Sequence, residues 1–152
     1  MKRIAVIRVR GQTGIPRETR DTLKMLHITR VNHCSITTDA PQYAGMVRAC
    51  KDYITWGEPD EKTFSLLLQK RGRLVGDKKL SDKDLEGVAV SFDDFARKFL
   101  AGECELSAIK GLKPVFRLNA PSKGYEGIKR QYPRGALGNR GKEINELIKR
   151  MM

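Results

Sequence analysis

Two histidines, His27 and His33, and three cysteines, Cys34, Cys50 and Cys104, are the side chains best suited to nucleophilic or metal chemistry in this 152-residue chain. Their spacing supports neither. The histidines form no HxxxH or HExxH pattern, and the cysteines are separated by 15 and 53 intervening residues with no CxxC pair. His33 and Cys34 are adjacent in sequence, but in a strand they point to opposite faces and cannot act as base and nucleophile. The cysteines read as reduced, packed thiols of a cytosolic protein. His27 falls near a predicted helix C-terminus, where it suits the negative end of the dipole, and Asp93 and Asp94 fall in a first helical turn after Ser91, where carboxylates cap. No catalytic constellation, metal set, cofactor motif or small-molecule site emerges, and the chain is not expected to be an enzyme.

Two glycine motifs could hold phosphate. Gly11-Gln12-Thr13-Gly14 links a strand to a helix but lacks the GK[ST] ending and the third glycine of a dinucleotide fingerprint, so it reads as a turn. Gly135-Ala136-Leu137-Gly138-Asn139-Arg140-Gly141 runs into the last predicted helix. There, free N–H groups with Arg140 could bind phosphate, or the glycines could serve backbone packing, and the residues alone leave both readings open. Tyr125 and Tyr132 stand among Lys123, Lys129, Arg130 and Arg134, the best aromatic and basic cluster for stacking on bases.

The partner class follows from charge. Thirty Lys and Arg against eighteen Asp and Glu give +12, and nucleic acid is the usual partner of so cationic a small domain. Residues 1–30, 61–80 and 111–152 carry +6, +4 and +7, while 31–60 and 81–110 carry −2 and −3. A cationic surface assembled from separate stretches of chain is the reading. Met1-Lys2-Arg3 precedes only a short mixed apolar run, and no run approaches the roughly 18 apolar residues of a span. A cytoplasmic protein without membrane contact is therefore expected.

These residues need a scaffold. Ile4–Val9 alternates as a strand with Ala5, Ile7 and Val9 on a core face, and with Val6, Arg8 and Arg10 on a face turning cationic. Pro16 starts a helix whose outer stripe is Arg17, Arg20 and Lys24. Val31–Thr38 is a second strand, Asp39-Ala40-Pro41 starts a second helix, and Tyr53–Trp56 is a third strand with Trp56 in the core. Residues 1–58 thus spell β-α-β-α-β, an α+β two-layer core with one open sheet face. Residues 59–152 form a mostly helical extension. It includes helices starting at Asp60 and Ser91, a segment near Val115–Leu118 that is strand or merely extended, a glycine-rich basic arm over 122–141, and a terminal helix through Ile144, Leu147, Ile148 and Met151.

Several segments in order resemble the large-subunit ribosomal protein L-thirty family, whose longer eukaryotic relatives are called L-seven. They are the basic first strand with Gly11 and Arg17, Thr22-Leu23 with Leu26, Asp39-Ala40-Pro41 with Gly45-Met46-Val47, and Tyr53-Ile54 with Trp56-Gly57 and Pro59. Gln69-Lys70-Arg71-Gly72, Gly138-Asn139-Arg140-Gly141, Ile144-Asn145, Leu147-Ile148 and Arg150-Met151 complete the likeness to the long form. The resemblance implies a ferredoxin-like core with a three-stranded sheet, a C-terminal extension absent from compact members, no catalysis, and a structural role on large-subunit ribosomal RNA beside neighbouring ribosomal proteins. Compact members usually carry Gly where this chain has His27, and the first strand starts without the basic eukaryotic extension, which makes the form archaeal in type. The candidate RNA-binding residues are Arg8, Arg10, Arg17, Arg20, Lys24 and Arg30 in the core. In the extension they are Lys70, Arg71 and Arg73, then Lys123, Lys129, Arg130, Arg134, Asn139 and Arg140. No obligate homo-oligomer is expected. The alternative is a DNA-binding regulator that sets the Arg17, Arg20, Lys24 stripe in a groove.

Overall fold

The structure, a computed structural model, describes residues 2–152. Strands β1 (Arg3–Arg8), β2 (His33–Thr38) and β3 (Ile54–Gly57) alternate with helices α1 (Arg17–Met25) and α2 (Pro41–Ala49). Then come α3 (Glu61–Arg71), α4 (Phe92–Ala101), β4 (Val115–Arg117), β5 (Gly138–Gly141) and α5 (Ile144–Met151). The fold is α+β, but the sheet has five strands in the order β4-β2-β1-β3-β5, not three. The extension supplies both edges: β4 runs antiparallel to β2 and β5 parallel to β3. Neither edge strand has a hydrophobic alternation of its own, since β4 is three residues and β5 reads Gly-Asn-Arg-Gly.

Nor is one sheet face open. Val6 and Ile54 pack with Leu23, Leu26 and Val47 beneath α1 and α2. The opposite face of β1 and β2, with Ala5, Ile7, Cys34 and Ile36, is covered by α3, α4 and α5 through Phe64, Phe95, Phe99, Leu147 and Ile148. Phe64 stacks on Phe99 at 4.8 Å and meets Phe116 of β4 edge-on at 6.5 Å, which ties the edge strand to two helices. Each such side chain, fully buried, stabilises the fold by about 1.5–3 kcal/mol. The largest of the buried clusters therefore draws residues from both sides of position 58. Trp56 is half-buried against the α1–α2 layer.

Local chemistry explains the junctions. α1 ends in a Schellman motif: the Ile28 N–H donates to the Leu23 carbonyl, the His27 N–H donates to that of Lys24, and Ile28 and Leu23 are both buried. His27 occupies the left-handed position at φ 60°, the place where glycine is the unstrained choice. At the β3–β5 junction Gly57 has no room for a side chain, because a Cβ would run into the Gly141 carbonyl and Ile144. Ser91 accepts from the Asp94 N–H to start α4, as the capping-box spacing predicts. Cys34 and Cys50 are buried free thiols, which burial pushes up to about 12 and about 11.

The glycine-rich stretch is more integrated than an extended arm. Ala136 and Leu137 are fully buried, Gln131 bridges to Leu137, and residues 138–141 are β5 itself.

Candidate RNA interface

Topology gathers the basic residues. The Arg8 end of β1 lies beside the starts of β2 and β3 and, through them, the end of β4 and the start of β5. Helices α2, α3 and α5 follow β2, β3 and β5, so each starts at the opposite pole and ends back at this one. Their last turns carry Arg48, Lys70 with Arg71, and Lys149 with Arg150. Cations there are favoured by the negative helix ends, by about 0.3–1 kcal/mol each. Arg10 and Arg30 sit at the same pole. Arg10 donates to the Asp52 carbonyl at 3.1 Å and lies 5.0 Å over the Tyr53 ring. The stretch with Lys129, Arg130 and Arg134 is joined to this pole by Gln131, whose amide reaches the Lys51 carbonyl and the Asp52 carboxylate.

Hydrogen bonding separates the predicted residues into two groups. Arg17, Arg20, Lys24, Arg30, Lys70, Lys123, Lys129, Arg130 and Arg134 are exposed. Arg17 is paired only at 3.9 Å with Asp21, in solvent, where such a pair contributes little. Arg8 is the opposite case and corrects the expectation of a cationic outer face on β1: it is 1 % exposed. Its guanidinium donates to the carbonyls of Arg10 (2.9 Å), Ile28 (3.2 Å), Thr29 (2.6 Å) and Gly11 (3.1 Å). Burial pulls the Arg8 guanidinium below the usual arginine value. The side chain pins the loops flanking α1 to β1 and has no face for a phosphate.

Arg140 and Asn139 are likewise engaged within the protein. Arg140 donates to Thr55 Oγ1 at 3.1 Å and the Ala136 carbonyl at 3.3 Å and stacks 5.1 Å over Tyr132. Asn139 Oδ1 accepts from the Gly141 N–H at 2.9 Å. The Tyr132 hydroxyl donates to Glu143, and the Tyr125 hydroxyl donates to Asn32 Oδ1 at 2.7 Å, so both tyrosines of the expected stacking cluster are held by protein. Of the two readings of the Gly135–Gly141 motif, internal packing is the one these bonds describe. Arg71 donates to the Met152 carbonyl at 2.8 Å, tying α3 to the chain end.

Residues outside the predicted RNA-binding set belong here as well. Arg71 and Arg73 line a cleft of about 470 Å³ with Lys79, Arg117 and Asp77. The Asp77 carboxyl is held below its ordinary value by the Lys113 hydrogen bond at 2.7 Å and the Arg117 charge. His33 stands directly across from Arg117 in the β2–β4 register. Its Nδ1 is buried without a hydrogen-bond partner among the described residues, and burial, together with Arg117, Arg30 and Arg8, lowers its pKa. The alternation of β2 put His33 on a face, but only the register with β4 sets it in a cationic row.

The chain is thus an α+β protein whose sheet has helices on both faces and basic side chains gathered at one pole. Residues 4–54 match the family model for ribosomal protein L30p/L7e. The large ribosomal subunit protein uL30 of Methanosphaera stadtmanae is 45% identical over 97% of this chain and 99% of its own length. Those of Archaeoglobus fulgidus and Methanococcus vannielii are 43% and 47% identical, each over 97% of this chain and 98% of their own. The chain belongs to the L30p/L7e family, a structural and non-enzymatic class of ribosomal protein, in the long form found in archaea.

Proposed function

We propose that the protein is a structural constituent of the large ribosomal subunit that holds ribosomal RNA against its cationic pole and the outer face of α1. The convergence of three helix C-termini, each ending in cations, on one end of the sheet carries this reading. Arg10, Arg17, Arg20, Lys24, Arg30, Lys70, Arg73, Lys123, Lys129, Arg130 and Arg134 are the direct phosphate partners, with Arg117 and His33 beside them. Arg8, Arg71, Asn139 and Arg140 act through the fold, by fixing the loops and edge strands that present the others. The working place is the ribosome in the cytoplasm, beside other ribosomal proteins.

Each phosphate neutralised contributes roughly 0.7–0.9 to the slope of log K against log salt. Replacing Arg17, Arg20 and Lys24 together by Gln should weaken binding to large-subunit RNA and flatten that slope by about two units. Filter binding across a salt series, with co-sedimentation on large subunits through a high-salt wash, measures both. An unchanged slope would remove α1 from the interface.

A further inference from the structure

Strand β4 covers only half of β2. It pairs Arg117, Phe116 and Val115 with His33, Cys34 and Ser35 and then stops. The Leu118 N–H donates to the Asn32 carbonyl on this edge, and the Asp39 N–H donates to Lys2 on the other. The even-numbered residues of β2 therefore turn their main-chain groups outward, toward the β4 side. Pro114 stands opposite Ile36 and has no N–H for the Ile36 carbonyl. Before it the chain departs, and Leu112 pairs with Leu74 instead. The Ile36 carbonyl and both main-chain groups of Thr38 thus find no hydrogen-bond partner among the described residues.

A groove of about 310 Å³ opens at this half-edge, between the two helical layers. Met25, 67% exposed, and Tyr43, 39% exposed, form its wall on the α1–α2 side. Thr37 Oγ1 is buried in it without a partner among the described residues. Of the charged residues lining it, Arg3 is already engaged, donating to the Phe99 and Cys104 carbonyls at 3.2 and 3.1 Å. Glu105 is exposed and has no ion pair among the described residues. The Arg3 charge is already held by two carbonyls, and His27 is the other basic residue of the lining, so Glu105 is the groove's one anionic side chain and the point at which a cation of a partner can pair.

We propose that the groove receives an extended, basic segment of a neighbouring protein in the assembled subunit. The segment takes the strand position vacated beyond Pro114, bonds the Ile36 carbonyl and Thr38, lays an apolar side chain on Met25 and Tyr43, and sets a Lys or Arg against Glu105. Extended peptides add to sheet edges in this way, main-chain bonds giving affinity and flanking pockets giving specificity. An unpaired edge that nothing covers is also an aggregation hazard. The site lies apart from the cationic pole and draws on the ribosomal reading only for the setting in which the partner is met.

The test uses large subunits assembled with the full chain carrying a photo-cross-linking amino acid in place of Met25. Irradiation should join it to one protein segment containing Lys or Arg, read by mass spectrometry. Glu105→Lys should lower the cross-link yield at least fivefold while the amount of protein in the subunit stays unchanged. Cross-links to RNA alone, none at all at full incorporation, or a yield indifferent to Glu105→Lys would each overturn the proposal. Loss of incorporation of the unsubstituted chain would instead count against the ribosomal reading itself.

Discussion

Helix α1 and the Asn139–Arg140 segment both set basic side chains on the rim of one sheet, and they use them in opposite ways. On α1, Arg20 and Lys24 reach solvent and Arg17 meets only a distant carboxylate. At β5, Arg140 is half-buried, bonded to Thr55 and Ala136, and laid over Tyr132; burial lowers its pKa below the ordinary arginine value. Cations of one kind in the sequence are thus of two kinds in the molecule. The first is available to a partner without cost to the fold, whereas the second is structural, like Arg8. Hydrogen-bond accounting separates them where charge counting cannot.

The bluntest way to break this comparison is to delete the region that holds β5. Truncation after Glu58 removes both edge strands and the helices over Ala5, Ile7, Cys34 and Ile36. The fragment should show no cooperative unfolding transition by calorimetry. A folded fragment would mean that residues 1–58 hold a sufficient core and that the extension merely packs on it.

Arg8→Met comes next. It keeps bulk but strips four carbonyls of their donor, that of Ile28 buried and the other three part-buried, and hydrogen bonds to charged groups are worth about 1.5–3 kcal/mol each, partly offset by the desolvation the charge no longer suffers. A net loss of about 3 kcal/mol in urea unfolding is expected, with the salt slope of RNA binding unchanged under folded conditions. Arg140→Gln should behave alike but more mildly, at about 1–2 kcal/mol. A flattened salt slope with unaltered stability would move Arg140 into the class of α1.

The α1 half of the comparison was legible in the sequence, because a three-residue and four-residue spacing displays a helix face directly. Residues 1–58 were legible for related reasons: Pro16 and Pro41 mark helix starts, and strand alternation survives in Ile4–Val9. Arg8 was misplaced because alternation assigns a face but not what lies above it. The loop at Ile28–Thr29 returns over that face and replaces solvent with carbonyls. The two edge strands were illegible, since Val115–Arg117 is too short for a pattern and Gly138–Gly141 has almost no side chains to alternate. Their places are set by partners roughly 80 residues away in sequence, a relation that local periodicity does not contain.

The smallest expected effect concerns His33. Its folded pKa lies below the ordinary imidazole value of 6.5, so the unfolded chain binds more protons as pH falls, and stability present above pH 6.5 should decline below it. Arg8, Arg30 and Arg117 face the ring, and Asp77 reaches it only through Arg117. A phosphate beside Arg30 and Arg117 would raise that pKa, so RNA affinity should increase modestly over the same fall in pH, by a factor of a few. His33→Asn should abolish both trends, with unfolding and filter binding at pH 5.5 and 7.5 as the measurements. Matching signs for the two trends would show that no phosphate approaches His33.

Because α2, α3 and α5 all finish at one end of the sheet, charge is separated along the strand axis. Asp39, Glu58, Asp60 and Glu61 mark the other end, where Lys2 pairs with Glu58 and Arg97 with Glu61. Such a molecule carries a permanent moment and turns in the field of a polyanion before it touches it. The consequence is kinetic: added salt should slow the association of the protein far more than it hastens its departure, and arrival in the correct orientation becomes a property of the topology rather than of any one contact.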